Sequence, residues 1–179
     1  MPAPSKSQSH GRIGEAAVFA KCWMHGLRAH HTGGLRANFA GSDLIVETGD
    51  LREKLWVQVK TGAPILKDHV YLTQCSGDED LKRKKFTADF VVFVNLNLRT
   101  AKTHTHNGAL DFDALSYYVV PVAQANRIYR DALAHWAAKP KRDGGRRKLG
   151  NMAVHAPMTK MVKYKDAWNQ LSAHEGNKG

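Results

Sequence analysis

The sequence predicts an α/β fold, a central mixed β-sheet flanked by helices. Three observations carry this. Apolar residues recur at helical spacing over residues 11–27 and again from Val122 to Ala138. Between them lie short runs rich in β-branched and aromatic residues: DLIVET, LWVQVK, HVYLTQC, DFVVFVN and SYYVV. The order helix, strand, strand, strand, helix, strand, strand, helix is that of a sheet covered by helices. With 179 residues, 42% apolar and 24% charged, the chain is long enough for one domain with a real core.

In order along the chain, MPAPSKSQSH (1–10) reads as a flexible basic arm. The first helix spans 11–27, with Ile13, Ala16, Ala20, Trp23, Met24 and Leu27 on its apolar face and Gly26 at its C-terminal end. Residues 30–40 are Gly-rich and irregular. Asp43–Thr48 is a strand and Gly49-Asp50 a turn. Leu55–Lys60 is the returning antiparallel strand, broken by Gly62, Ala63 and Pro64. His69–Cys75 is a third strand. Asp78–Phe86 is a short helix with acids first and bases last, matching the helix dipole. The continuous apolar run of Asp89–Asn95 is a buried strand. A polar loop covers 99–110. Ser116–Val120 is a strand ended by Pro121, and Val122–Ala138 is a helix. Residues 139–148 are a basic break, and a closing helix carries Trp168 and Leu171. There is no internal repeat, so 11–179 reads as one domain.

Lys and Arg total 27 against 16 Asp and Glu, a net charge of +11. Such an excess points to a polyanionic partner, nucleic acid first and an anionic membrane surface second, with solubility as the plainer explanation. No apolar run approaches the roughly 20 residues of a membrane helix. The N-terminus lacks the apolar segment of a secretory signal. The two cysteines, Cys22 and Cys75, have neither disulfide-framework nor zinc-knuckle spacing. A cytoplasmic location is expected, with no membrane role.

The strand WVQVK directs Trp56, Gln58 and Lys60 to one face and Leu55, Val57 and Val59 to the other. An amide and an ammonium two residues apart on one face mean either an edge strand with a wet face or an active site. Glu15 lies at the margin of the first helix's apolar face, near Phe19, Cys22 and Gly26. There a carboxylate needs a partner or the dipole of the first helical turn. Asp43 opens its strand after Gly41-Ser42, where a backbone-satisfied turn residue is the ordinary occupant. Paired through the Gly49-Asp50 turn, the two strands bring Asp43 beside Gln58 and Lys60. A carboxylate, an amide oxygen and an ammonium then converge in a set suited to a hard divalent cation and a polarised water. Glu47 and Glu53 stand about 13 and about 16 Å away at strand rise, too far to share that ion.

Glu15 on the first helix, Ser42-Asp43 entering a strand and Gln58-Val59-Lys60 on the next resemble the PD-(D/E)XK nuclease motif, over roughly residues 11–121. Ser42 stands where the motif has Pro, and Gln58 where it has its second acid. The QxK variant is similar to that of some group I intron homing endonucleases of this fold. The resemblance implies a restriction-endonuclease-like core and divalent-metal-dependent hydrolysis of DNA phosphodiesters. It implies Mg²⁺, with Mn²⁺ able to substitute, held by Asp43, Gln58 and the Val59 carbonyl. Glu15 would be a supporting acid and Lys60 the water-orienting base. Such enzymes commonly work as homo-oligomers. The alternative is a nuclease-fold DNA-binding protein that has lost catalysis, with Gln58 marking the loss.

Lys139, Lys141, Arg142, Arg146, Arg147 and Lys148 crowd a loop whose only acid is Asp143, as a phosphate-tracking segment would. A solvated linker has the same composition. Arg12 and the N-terminal arm are further candidates for DNA contact. Lys82–Lys85 is a second basic run, spread over three sides if helical. His104-Thr105-His106 lacks the partners of a metal site, and His30-His31 reads as loop polarity. The four tryptophans read as core or partly buried, with Trp56 on the face of Gln58.

Overall fold

The computed structural model describes residues 6–32, 41–48, 53–63, 68–96, 115–140, 144–145 and 147–172. Helix α1 (Lys6–Met24) is followed by β1 (Arg28–His31), β2 (Leu44–Glu47), β3 (Lys54–Gly62), β4 (His69–Cys75), β5 (Phe90–Leu96), β6 (Leu115–Pro121), α2 (Val122–Ala138) and β7 (Met152–Pro157). Two short helical segments, α3 (Met158–Met161) and α4 (Asn169–Ser172), close the chain. The architecture is α/β: a five-stranded mixed sheet in the order β1-β2-β3-β5-β6, plus a two-stranded pair of β4 and β7. Among the described residues β3 and β5 pair in parallel and the other strand pairings are antiparallel.

Both faces of the main sheet are covered. On one, α1 and the C-terminal segment bury Ala17, Val18, Cys22, Trp168 and Leu171 against Leu55, Val57 and Val59 of β3. On the other, α2 and the β4-β7 pair bury Tyr129, Leu133, Leu72 and Val154 against Val91 and Phe93 of β5. A strand enclosed on two sides needs apolar residues throughout, which is why FVVFVNL is buried at every position. β3 has β5 on one side along Val57–Gly62 and β2 on the other over Lys54–Val57 only, so among the described residues no strand covers the β2 side at Gln58 and Lys60.

Several expectations need correction. The first helix runs from Lys6 to Met24 rather than over 11–27, so residues 6–10, expected in a flexible arm, form its opening turns; residues 1–5 lie outside the described residues. Its buried face is Gly14, Ala17, Val18 and Cys22, whereas Ala16 is exposed and Trp23 and Met24 are 50% and 74% exposed. The apolar residues of this helix nearly encircle it, so periodicity alone picks the wrong side. Gly26 does end the helix: the Leu27 N–H donates to the Cys22 carbonyl and the Gly26 N–H to that of Trp23, the two bonds of a Schellman cap.

The expected helix over 78–86 is a single 3₁₀ turn, Asp78–Leu81. Its acids are spent on tertiary bonds: Asp80 accepts from the Ser76 N–H, Lys85 Nζ and Tyr129 Oη, and Asp78 from the Leu149 N–H. Strands β1 and β7 were not expected at all. The closing helix is only α4, but Trp168 and Leu171 are buried as anticipated. The Gly49-Asp50 turn and the 99–110 loop with His104 and His106 lie outside the described residues.

Candidate functional site

The site forms where β2 begins. Leu44 pairs with Val57, so Asp43, one residue before β2, comes level with Gln58. The Asp43 N–H donates to the Val57 carbonyl at 2.9 Å, and Asp43 Oδ2 accepts the Val59 N–H at 2.6 Å. The carboxylate thus continues the ladder after the β2 backbone has left it. A strand residue directs its N–H and C=O to the same side. The Val59 carbonyl therefore points to the Asp43 side of β3, beyond the start of β2.

Strand alternation holds as expected: Leu55, Val57 and Val59 face the α1 core, and Gln58 and Lys60 the opposite side. Gln58 is buried to 8% exposure, and among the described residues its Oε1 has no hydrogen-bond partner. Lys60 is half-buried, as is Asp43. Gln58 registers with Val91 and Lys60 with Phe93 of the parallel neighbour β5, so an apolar wall stands beside both polar groups.

Glu15 reaches this place because α1 lies hard against β3. A Cβ at Gly14 would fall on Thr61 Oγ1, so no larger residue fits at that crossing. The adjacent Glu15 is half-buried. Burial, and then the negative charge of Asp43, raise its pKa; the positive fields of His31, Lys60 and Arg12 oppose them only in part. Glu15 thus lies within electrostatic reach of Asp43 and Lys60, while Gln58 stands level with Asp43 on the face of β3 turned away from the α1 core. The donor set is two carboxylates, one orphaned carboxamide oxygen and a backbone carbonyl. Among the described residues no group of three or more His, Cys, Asp or Glu is arranged to hold a metal ion.

Of the candidate DNA contacts, Arg12 is exposed one turn before Glu15. Lys139 and Lys148 are exposed. The Arg147 guanidinium lies over the Trp136 ring at 5.2 Å, and its Nε–H donates to the Pro140 carbonyl. Its planar face is therefore engaged by the protein itself. Lys141, Arg142 and Arg146 lie outside the described residues.

Two neighbours escaped sequence reasoning. Thr87 faces Gly41 so closely that a Cβ there would stand 2.5 Å from Thr87 Oγ1 and 3.8 Å from Gln58 Nε2. The exposed Lys82, Arg83 and Lys84 precede Thr87 by three to five residues. His31, expected to be loop polarity, instead ends β1, pairs with Leu44 and stacks on Phe19. Nothing in the local sequence around Thr87 signals its proximity to Gln58. For His31 the alternation R-A-H-H, with Ala29 buried, was the available sign.

Comparison with protein-family models, with curated proteins and with solved structures gives no match. The functional reading therefore rests on the residues and their arrangement.

Proposed function

We propose that the protein is a divalent-metal-dependent DNA endonuclease of the PD-(D/E)XK type, with a restriction-endonuclease-like core. The carrying observation is the Asp43 carboxylate bonded to the Val59 N–H, level with Gln58 and within electrostatic reach of Glu15. The mixed sheet with its parallel β3-β5 step suits that core.

A hard cation fits the donor set. The orphaned Gln58 Oε1 is a costly group to bury and is relieved by a cation at that oxygen. Asp43, Gln58 and the Val59 carbonyl would hold Mg²⁺, or Mn²⁺ in its place. When bound, the ion supplies charge neutralisation at the scissile phosphate and a more acidic water. The bond from the Val59 N–H fixes Asp43 Oδ2 and, with it, the direction of Oδ1. Lys60 offsets charge on the phosphate and orients the attacking water, whose oxygen forms the new P–O bond as a bridging P–O bond breaks. Glu15, with its raised affinity for protons, is suited to take and return a proton at this site. The exposed Arg12, Lys82, Arg83, Lys84, Lys139 and Lys148 offer phosphate contacts. Cutting both strands of a duplex would call for a homo-oligomer.

A second reading is favoured by Gln58 in place of an acid. On this reading the chain binds DNA on a nuclease fold without cutting it. Incubation with duplex, branched and single-stranded DNA in Mg²⁺ or Mn²⁺ separates the two. The enzyme reading expects cleavage that chelation abolishes. Tight binding with no cleavage on any substrate in either metal would leave only the second reading.

A further inference from the structure

We propose that α1 carries a base-stacking surface leading away from the candidate site, so that the preferred substrate has an unpaired nucleotide beside the scissile bond. The inference rests on the endonuclease reading for its location and deepens it by naming the substrate class. Glu15, Phe19 and Trp23 are spaced i, i+4, i+8 and share one side of the helix, about 12 Å from first to last. Phe19 stacks on His31 with ring centroids 4.7 Å apart and planes 15° from parallel. His31 lies within the electrostatic reach of Glu15, which ties the aromatic stripe to the site. Trp23 follows at 6.3 Å from Phe19, tilted by 56° and half exposed.

An indole so placed is unexpected in this fold. The core side of α1 is already filled by Ala17, Val18 and Cys22, so Trp23 adds nothing to it. Two large exposed residues, Trp23 and Met24, fall far short of the roughly 1,200–2,000 Å² that a specific protein interface buries. The surroundings favour a polyanion. Glu15 is the only acid of α1, and the exposed Arg12 and Arg28 flank the stripe at either end. Bases paired within a duplex present no free face to such a ring, whereas an unpaired base stacks on it whatever its identity.

The test uses the full chain in EDTA, so that binding is read without catalysis. Wild type, Trp23→Ala and Trp23→Phe are titrated with a single-stranded oligothymidylate and with a blunt duplex of equal length. Thermal melting of each variant checks folding, which an exposed position should not disturb. The expected result is a loss of about ten-fold in single-strand affinity for Trp23→Ala, less than two-fold for duplex, and substantial retention by Trp23→Phe. An equal loss on both ligands, or none, overturns the proposal. So does self-association of the wild type that Trp23→Ala abolishes while single-strand affinity stays unchanged, since the patch then serves a second copy. Cleavage in Mg²⁺ is scored separately. Trp23-dependent single-strand binding without any cleavage would sink the endonuclease reading and leave the stacking surface standing. Cleavage with no role for Trp23 would do the reverse.

Discussion

Glu15 is a carboxyl group kept half-buried in the folded protein at a cost. Its proton is held more tightly in the native state than in the unfolded chain, because burial and Asp43 both disfavour the anion. Between the ordinary glutamate range and the raised value, the native state binds more protons. Stability therefore falls as pH rises through that window, and the loss persists above it. Glu15→Gln should accordingly raise the melting temperature near neutral pH, by about 1–3 °C, and flatten the profile in the mildly acidic range. Thermal melts from pH 4 to 8 check this; an unchanged profile would mean that Glu15 is not strained by its neighbours. Glu15 was legible in the sequence because a lone acid at the margin of an apolar helix face demands a partner. Gln58 was legible for a similar reason. Its burial without a partner for Oε1 was not, since β3 looked equally able to be a wet edge.

Among elements, the segment before β5 is set by one side chain. Asn126 of α2 accepts the N–H groups of Lys85 and Phe86 with its Oδ1, and donates through Nδ2 to the carbonyls of Phe86 and Val122. The same segment carries Thr87 to Gly41 and Gln58. Asn126→Ala leaves several buried backbone groups unpaired and should cost about 2–3 kcal/mol. It should also lower cleavage, because Thr87 and the exposed basic residues lose their anchor; urea unfolding and a rate assay read the two effects. Strands β2 to β6 and helix α2 were visible in the sequence, since β-branched runs and helical spacing coincide there with local turn signals. Strand β1 was hidden because R-A-H-H is polar wherever it is exposed, and its only apolar residue is the small Ala29. Strand β7 escaped because its partner β4 is far away in sequence, a non-local pairing that no local pattern announces. The buried face of α1 was misjudged because close packing chose Gly14, Ala17 and Val18 over the bulkier Trp23 and Met24. Small residues let the helix approach β3, and that approach is what delivers Glu15.

At the scale of the whole molecule, the net charge of +11 is the one functional signal that needs no structure. If it serves phosphate binding, affinity for DNA must fall steeply with salt, by about 10³-fold or more between 50 and 200 mM for six or more phosphate contacts. A shallow slope would assign the charge to solubility. Charge speaks only of binding, however; the proposed chemistry would depend on Asp43, Gln58 and Lys60, with Glu15 in electrostatic reach of Asp43 and Lys60. The most direct measurement is single-turnover cleavage of a DNA substrate in Mg²⁺ by wild type and by Asp43→Ala, with binding measured in parallel. The account predicts cleavage by the wild type and a loss of at least about 10²-fold in the variant, with DNA affinity nearly unchanged. Equal cleavage by both proteins would contradict it.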